Sequence, residues 1–265
     1  MREDRGEASI WRFRQASRGV QVVFTTRHGG VSRPPYDSLN LGFHVGDMPD
    51  PVKQNRALVS SLLRVDPSRI TCPGQQHTAI VEELSGESEI GSGALSEKTA
   101  FDPCDGLLTA LKNAPILLHF ADCAPVVLTA EDGRGRPVLA VLHAGRRGLV
   151  EGVVEKGVDA MVRAYNLKPE SIVAAVGPAI GACCYQVGEE VAAEFESRFG
   201  EDVLRRGDDR VWLDIQSAAG VALNGAAVLS ENVHVLEICT SCDSDFYSFR
   251  RDGVTGRHGA IAWIE

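Results

Sequence analysis

Residues 115–144 read PILLHFADCAPVVLTAEDGRGRPVLAVLHA, and this stretch decides the fold. It holds three strand-like runs, at 115–121, 125–130 and 137–143. Each is an apolar run of strand length rather than helix length, bounded by turn chemistry. Between the last two, Glu131-Asp132-Gly133-Arg134-Gly135 predicts a hairpin turn. Just C-terminal to the stretch the period changes. Leu149, Val150, Val153, Val154, Val158, Met161, Val162 and Tyr165 recur at three and four, which predicts one amphipathic helix over 149–165. A buried strand at 172–176, a Gly/Pro loop at 177–181, helices at 188–199 and 215–228, and strands at 233–238 and 259–264 follow. On the N-terminal side, Val20 to Thr26 is β-branched and reads as a strand. Residues 27–49 form a long irregular stretch rich in Gly, Pro, Ser and Asn. Asp50-Pro51 then opens a helix over 51–64, with Val52, Leu58, Val59, Leu62 and Leu63 on its apolar face. Residues 83–103 are polar and glycine-containing, a surface excursion. Hairpins mixed with β-α crossovers give an α/β or α+β domain on a mixed sheet, not a strictly alternating doubly wound one. Residues 1–18 are read as a partly frayed N-terminal extension and 19–265 as one domain.

The composition bounds the function. The chain has 265 residues, 44% of them hydrophobic, with 27 Lys and Arg against 36 Asp and Glu, a formal charge of −9. That mixture argues against long disorder, collagen and coiled coil. The acidic balance disfavours nucleic acid or an anionic membrane as partner, because both select clustered Lys and Arg. It leaves room for a small anion held by a few local Arg residues. No apolar run reaches the roughly 18 residues of a membrane span. The seven cysteines, at 72, 104, 123, 183, 184, 239 and 242, are odd in number and scattered. With no apolar signal core after Met1, they point to a reducing, cytoplasmic setting.

Three residues carry the chemistry best: His77, Cys123 and His143. Each lies at a boundary, the first after a Cys-Pro-Gly turn, the second between two strands, the third at a strand end before Ala144-Gly145-Arg146-Arg147-Gly148. Two imidazoles and a thiolate match the ligand set of a catalytic zinc with an open fourth position. Their spacing matches no compact zinc motif, so two unrelated histidines and a core cysteine remain the alternative. His119 reads as a core residue inside an apolar strand, His234 as structural or exposed, and His258 as solvent-facing. His28 and His44 sit in the long Gly-rich loop, where a pocket or an ordinary loop role is open to them. Cys239-Thr240-Ser241-Cys242 has CxxC spacing, but a structural zinc site needs a second such pair, and the vicinal Cys183-Cys184 is not one. Apart from Cys123, the cysteines read as structural or incidental. Gly145-Arg146-Arg147-Gly148 before a helix is a candidate anion site, as are Arg27, Asn55-Arg56 and the basic turn at Phe249-Arg250-Arg251. No Walker A, GxGxxG or GxSxG pattern is present.

The ordered motifs are more specific than any one of them. Thr26-Arg27-His28-Gly29-Gly30-Val31-Ser32, Ser38-Leu39-Asn40-Leu41-Gly42, Val45-Gly46-Asp47, Asn55-Arg56 and Gln75-x-His77 occur in order. Ala121-Asp122-Cys123-x-Pro125, His143-Ala144-Gly145-x-Arg147-Gly148, Gly177-Pro178-x-Ile180-Gly181 and Phe249-Arg250-Arg251-Asp252-Gly253-x-Thr255-Gly256-Arg257 follow. Together, from about residue 20 to the C-terminus, they resemble the YfiH family, also called the multicopper polyphenol oxidoreductase (laccase) family. The resemblance implies a single α/β domain, a sandwich of mixed β-sheets flanked by helices, akin to cysteine-hydrolase architecture. It implies zinc held by His77, Cys123 and His143, with these three as the catalytic centre. It implies phosphorolysis of adenosine, inosine, guanosine and methylthioadenosine, and deamination of adenosine. Arg56 and Arg147 then become phosphate or substrate contacts, and the Asn40 loop a pocket wall. The implied partners are purine nucleosides and phosphate, with a monomer as the expected state. Arg146 departs from the family, which usually carries Trp there, and Gln76 and Thr78 replace the common Val and Gly beside His77.

Two other readings use the same residues. A copper polyphenol oxidase follows the family's older name, but seven scattered histidines with no HxH pair cannot build a further copper cluster. A metal-free cysteine hydrolase would take Cys123 as nucleophile with His143 or His77 as base.

Overall fold

The computed structural model describes residues 1–5 and 8–265. Two β-sheets lie face to face, and helices cover both outer faces. The first sheet has the order Arg2–Arg5, Ala8–Phe13, Val20–Thr25, His258–Ile264, Ile116–Phe120, all antiparallel. The second has the order Val233–Val235, Val173–Val176, Ala124–Glu131, Pro137–Ala144, Gly106–Thr109, Val81–Glu83. Its interior pairs are antiparallel and its two edge strands are added in parallel. This is the mixed-sheet α/β domain that the element order predicts, and the sandwich that the resemblance implies. A small third sheet joins Gln186–Val187, Val211–Leu213 and Leu204–Arg206.

The period of two along each strand sorts side chains between layers. Val22 and Phe24 meet Leu139, Val141, Leu118 and Ile116 between the sheets. Val23, Leu117 and Ile261 point the other way, against Val59 and Leu63 of the helix Pro49–Leu63. On the far face of the second sheet, Val126, Leu128, Ala140 and Leu142 pack on Val154, Val158, Met161 and Ala219. Strand Pro137–Ala144 is buried on both faces, so it reads as a continuous apolar run rather than an alternating one.

Some expectations change. The helix read over 149–165 is two helices, Arg146–Glu151 and Val153–Tyr165, broken at Gly152 with φ +85. A left-handed residue cannot continue a helix, and glycine occupies it without strain. The first helix opens at Pro49, so both Pro49 and Pro51 lie in its first turn. The expected frayed start is instead paired: Ala8–Phe13 lies antiparallel to Val20–Thr25, and Ile10 is fully buried. His258 is buried, not solvent-facing, with its ring 5.3 Å from Phe246 and 6.3 Å from Phe120. Among the described residues no helix is long and apolar enough to cross a membrane.

Candidate active site

The hairpin Ala124–Glu131 and Pro137–Ala144 builds the site. Its register pairs Ala124 with Ala144, so Cys123 emerges opposite Gly145 at the open end. His143 lies one residue before that end. The neighbouring strand begins at Gly106, paired with Leu142, which sets Asp105 beside His143. The His143 amide donates to the Asp105 carbonyl at 2.7 Å. The loop after Cys72-Pro73-Gly74 delivers His77 to the same point. Its φ of +60 is left-handed, a strained conformation for a histidine. Three backbone amides hold it there: Gln76, His77 and Thr78 donate to the Asp105 carboxylate at 3.2, 3.0 and 2.7 Å.

His77, Cys123 and His143 therefore converge. Their ligand atoms lie within 4.8 Å of one another, and the two imidazole rings stand 4.7 Å apart. His143 Nδ1 lies 2.8 Å from Asp105 Oδ1, so Nδ1 carries the proton and Nε2 is left for the site. Burial alone would raise the Cys123 thiol, but His143 and His77 beside it bring it down to about 6. Burial likewise disfavours a charged His143, and the Cys123 and Asp105 charges reverse this to about 9. Burial works against an ionised Asp105, yet the His143 and Thr78 hydrogen bonds bring it to about 2. Gly145 has to be glycine: a Cβ there would sit 2.8 Å from Cys123 Sγ and 3.3 Å from His77 Cδ2.

The cluster opens into a cavity of about 490 Å³. Arg146, Arg147, Arg250 and Arg257 line it, with Tyr185, Phe249 and Ile180 as its apolar walls. Arg257 is half-buried; burial lowers its pKa, and the Cys123 and Asp122 charges offset part of that. Its Nη1 donates to the Thr255 and Gly256 carbonyls, both at 2.9 Å. His44 and His119 also reach the wall. His119 is a satisfied core residue as well: Gln75 Oε1 accepts from its amide at 2.8 Å, and Arg56 Nη2 lies 3.0 Å from its Nε2.

Two of the expected contacts lie elsewhere. Arg56 is buried, and its guanidinium donates to the Leu41, Gly93 and Ala94 carbonyls at 2.9, 2.6 and 2.9 Å. It ties the first helix to two loops and lines only a small adjoining cavity of about 120 Å³. Asn40 is fully buried and does not line the cavity; its Oδ1 accepts from the Arg257 and Gly42 amides at 2.9 and 3.0 Å. Arg147 does reach the cavity, with its side chain 63% exposed. Asp105 was not legible as a site residue, because nothing in residues 104–106 marks it apart from a core strand's approach.

Residues 21–265 match the family described as multi-copper polyphenol oxidoreductase laccase. The chain belongs to this family. A relative named purine nucleoside phosphorylase Cgl2154/cg2365, from Corynebacterium glutamicum, is 34% identical over 94% of this chain and 96% of its own. Purine nucleoside phosphorylase YlmD from Geobacillus stearothermophilus is 34% identical over 90% of this chain and 88% of its own. The crystal structure of YlmD superposes with a TM-score of 0.92, covering 99% of this chain and 98% of that one at 32% identity. The crystal structure of the Bacillus licheniformis protein YfiH gives 0.90 at 31% identity, covering 99% and 98%. The family resemblance read from the ordered motifs is thus borne out.

Proposed function

We propose that this protein is a zinc-dependent purine nucleoside phosphorylase that also deaminates adenosine, with the metal held by His77, Cys123 and His143. The observation that carries the reading is one cavity combining this ligand set with four guanidinium groups and two aromatic walls. The donors fit zinc: one thiolate, two imidazoles, and a carboxylate that fixes the ring of His143. Three protein ligands would leave such an ion a position open to water or substrate. When bound, zinc supplies a Lewis acid and a water of lowered pKa.

The chain's own residues account for the rest. A cavity of about 490 Å³ suits a nucleoside with phosphate. Phosphorolysis needs a phosphate oxygen brought to the ribose C1′ as the C1′–N9 bond breaks. Arg146, Arg147, Arg250 and Arg257 supply the local positive charge to hold phosphate, inside a chain of net charge −9. Arg146 adds a charge where the resemblance expects Trp. Phe249 and Tyr185 offer aromatic faces for the purine. Burial raises the Tyr185 phenol, so it stays protonated and can donate a hydrogen bond to the leaving base.

The test is metal analysis of the purified protein together with a nucleoside panel, with and without phosphate. Phosphate-dependent formation of free base and ribose 1-phosphate, lost in Cys123→Ala, is expected. No turnover of any nucleoside by metal-loaded protein would refute the reading.

The second reading rests on the Asp105–His143–Cys123 line, which also describes a cysteine nucleophile with its base and orienting acid. Activity that persists after metal removal but dies on alkylation of Cys123 would favour it. A multicopper oxidase needs further histidine-rich centres. Among the described residues the one other potential ligand group holds four cysteines and no histidine.

A further inference from the structure

We propose that Cys183, Cys184, Cys239 and Cys242 bind a second zinc ion as a closed tetrathiolate site that staples two loops behind the cavity wall. By sequence these residues read as structural or incidental, because a vicinal pair does not resemble half of a zinc motif. The fold brings the two pairs together all the same. Their four sulfurs lie within 4.8 Å of one another, with Cys242 Sγ 3.4 Å from Cys183 Sγ and 3.3 Å from Cys184 Sγ. A tetrahedral ion with Zn–S bonds of about 2.3 Å sets its sulfurs about 3.8 Å apart, which is this scale. The shared point accommodates one ion and not a polynuclear iron–sulfur cluster, whose thiolates bind separate irons.

The backbone is arranged for thiolates. The parallel bridge between Ala179 and Cys239 joins the two loops, and the Thr240 amide donates to the Ala179 carbonyl at 3.0 Å. The CxxC segment closes as a tight turn, with the Cys242 and Asp243 amides donating to the Cys239 carbonyl at 3.1 and 2.9 Å. The Gly181 amide donates to Cys239 Sγ at 3.4 Å, a contact that favours the charged sulfur. On the other loop the Cys184 amide donates to the Gly181 carbonyl at 3.0 Å, and that turn sends both vicinal side chains to one side. Arg251, paired with Asp252, donates to the carbonyls of Thr240, Ser241 and Asp243 and so ties down the turn that carries Cys239 and Cys242. Four protein ligands leave no open position, which marks a structural rather than catalytic ion.

The loops are those of the cavity. Ile180 and Tyr185 flank the vicinal cysteines. Asp122, beside Cys123, accepts from Thr240 Oγ1 and from the Arg250 amide, both at 2.7 Å. An ion here would order the wall that carries Tyr185 and Arg250.

The test reads zinc stoichiometry on purified full-length protein loaded with zinc, for wild type, the double variant Cys239→Ser/Cys242→Ser, and Cys123→Ser. The double variant should hold one zinc fewer than wild type and melt at a lower temperature. Cobalt substitution of Cys123→Ser should show the sulfur-to-cobalt charge-transfer and d–d bands of a tetrahedral thiolate site. The Cys123 variant reports on the other site separately, so failure of one assignment is distinguishable from failure of the other. Differential alkylation of wild type covers the case in which the double variant does not fold. The four thiols should resist labelling until a chelator strips the zinc. Free labelling of all four in zinc-loaded protein would overturn the proposal. So would an unchanged zinc count in the folded double variant, or peptide masses showing Cys183 or Cys184 bridged to Cys239 or Cys242 by disulfides.

Discussion

Asp105→Asn is the sharpest perturbation of the site, because it changes protonation chemistry and almost nothing in shape. The carboxylate accepts five hydrogen bonds. Oδ2 takes those of the Gln76 amide, the Thr78 amide and the Thr78 hydroxyl, at 3.2, 2.7 and 2.9 Å. Oδ1 takes those of the His77 amide and His143 Nδ1, at 3.0 and 2.8 Å. An asparagine has to aim its NH₂ at one of these sets. Facing the Oδ2 set, it orphans the Gln76 and Thr78 amides at about 1–3 kcal/mol each, while the Thr78 hydroxyl can turn to accept. Facing the Oδ1 set, it orphans one amide and obliges His143 Nδ1 to accept. The second orientation costs less, and it moves the His143 proton to Nε2, the nitrogen that the proposed zinc would need. Removing such an orienting partner typically costs 10- to 100-fold in metal affinity, about 1.4–2.7 kcal/mol. Zinc affinity by chelator competition, with circular dichroism to verify the fold, measures this. The expected result is a folded variant with affinity down by about one to two orders of magnitude. A folded Asp105→Asn protein that binds zinc as tightly as wild type would refute the reasoning, because it would mean that His143 is not a ligand through Nε2.

The other predictions use different readouts. Gly145→Ala should lower metal occupancy with little change in secondary structure, since its Cβ would intrude to 2.8 Å from Cys123 Sγ; full occupancy by mass spectrometry would contradict it. Arg257→Gln should raise the KM for phosphate while the melting temperature holds, whereas Arg56→Gln should chiefly destabilise, because three buried carbonyls lose their donor at about 1 kcal/mol or more each. The reverse pattern would move the phosphate site to Arg56. Burial, with Arg257 adding to it, holds His258 down to about 3, so the unfolded chain takes up a proton below about 6.5 that the folded chain refuses. Stability should therefore drop as pH is lowered from about 6.5 toward 3, His258 contributing up to about 1.4 kcal/mol per unit. His258→Leu should make the acid limb of urea unfolding shallower by one proton; an unchanged slope would show that His258 is charged in the folded state.

Much of the fold was legible because its signals are local. The hairpin over 124–144 announces itself through two apolar runs around a Gly-rich turn, and the helix Val153–Tyr165 through its period of three and four. The break at Gly152 was visible only as a glycine inside a helical pattern, which does not by itself say whether the helix ends there. His258 reads as solvent-facing in sequence because its position at the start of the last strand says nothing of Phe120 and Phe246, which arrive from elsewhere in the chain to cover it. Asp105 has no local mark at all. Its role exists only because strand pairing sets it beside His143 and the loop at 76–78 folds its amides onto it.

The amino-acid sequence by itself determined the kinds of donor atom available, the strands and most helices, and, through its ordered motifs, the family. Those depend on residue type and near spacing, which a linear reading contains. Convergence depends on contacts between segments far apart in sequence. Which guanidinium groups face the cavity was therefore decided in three dimensions: Arg257 turns toward it and Arg56 binds carbonyls. So was the fate of the cysteines, since a vicinal pair and a CxxC 55 residues apart meet only because the loops after two neighbouring parallel strands leave the same end of the sheet.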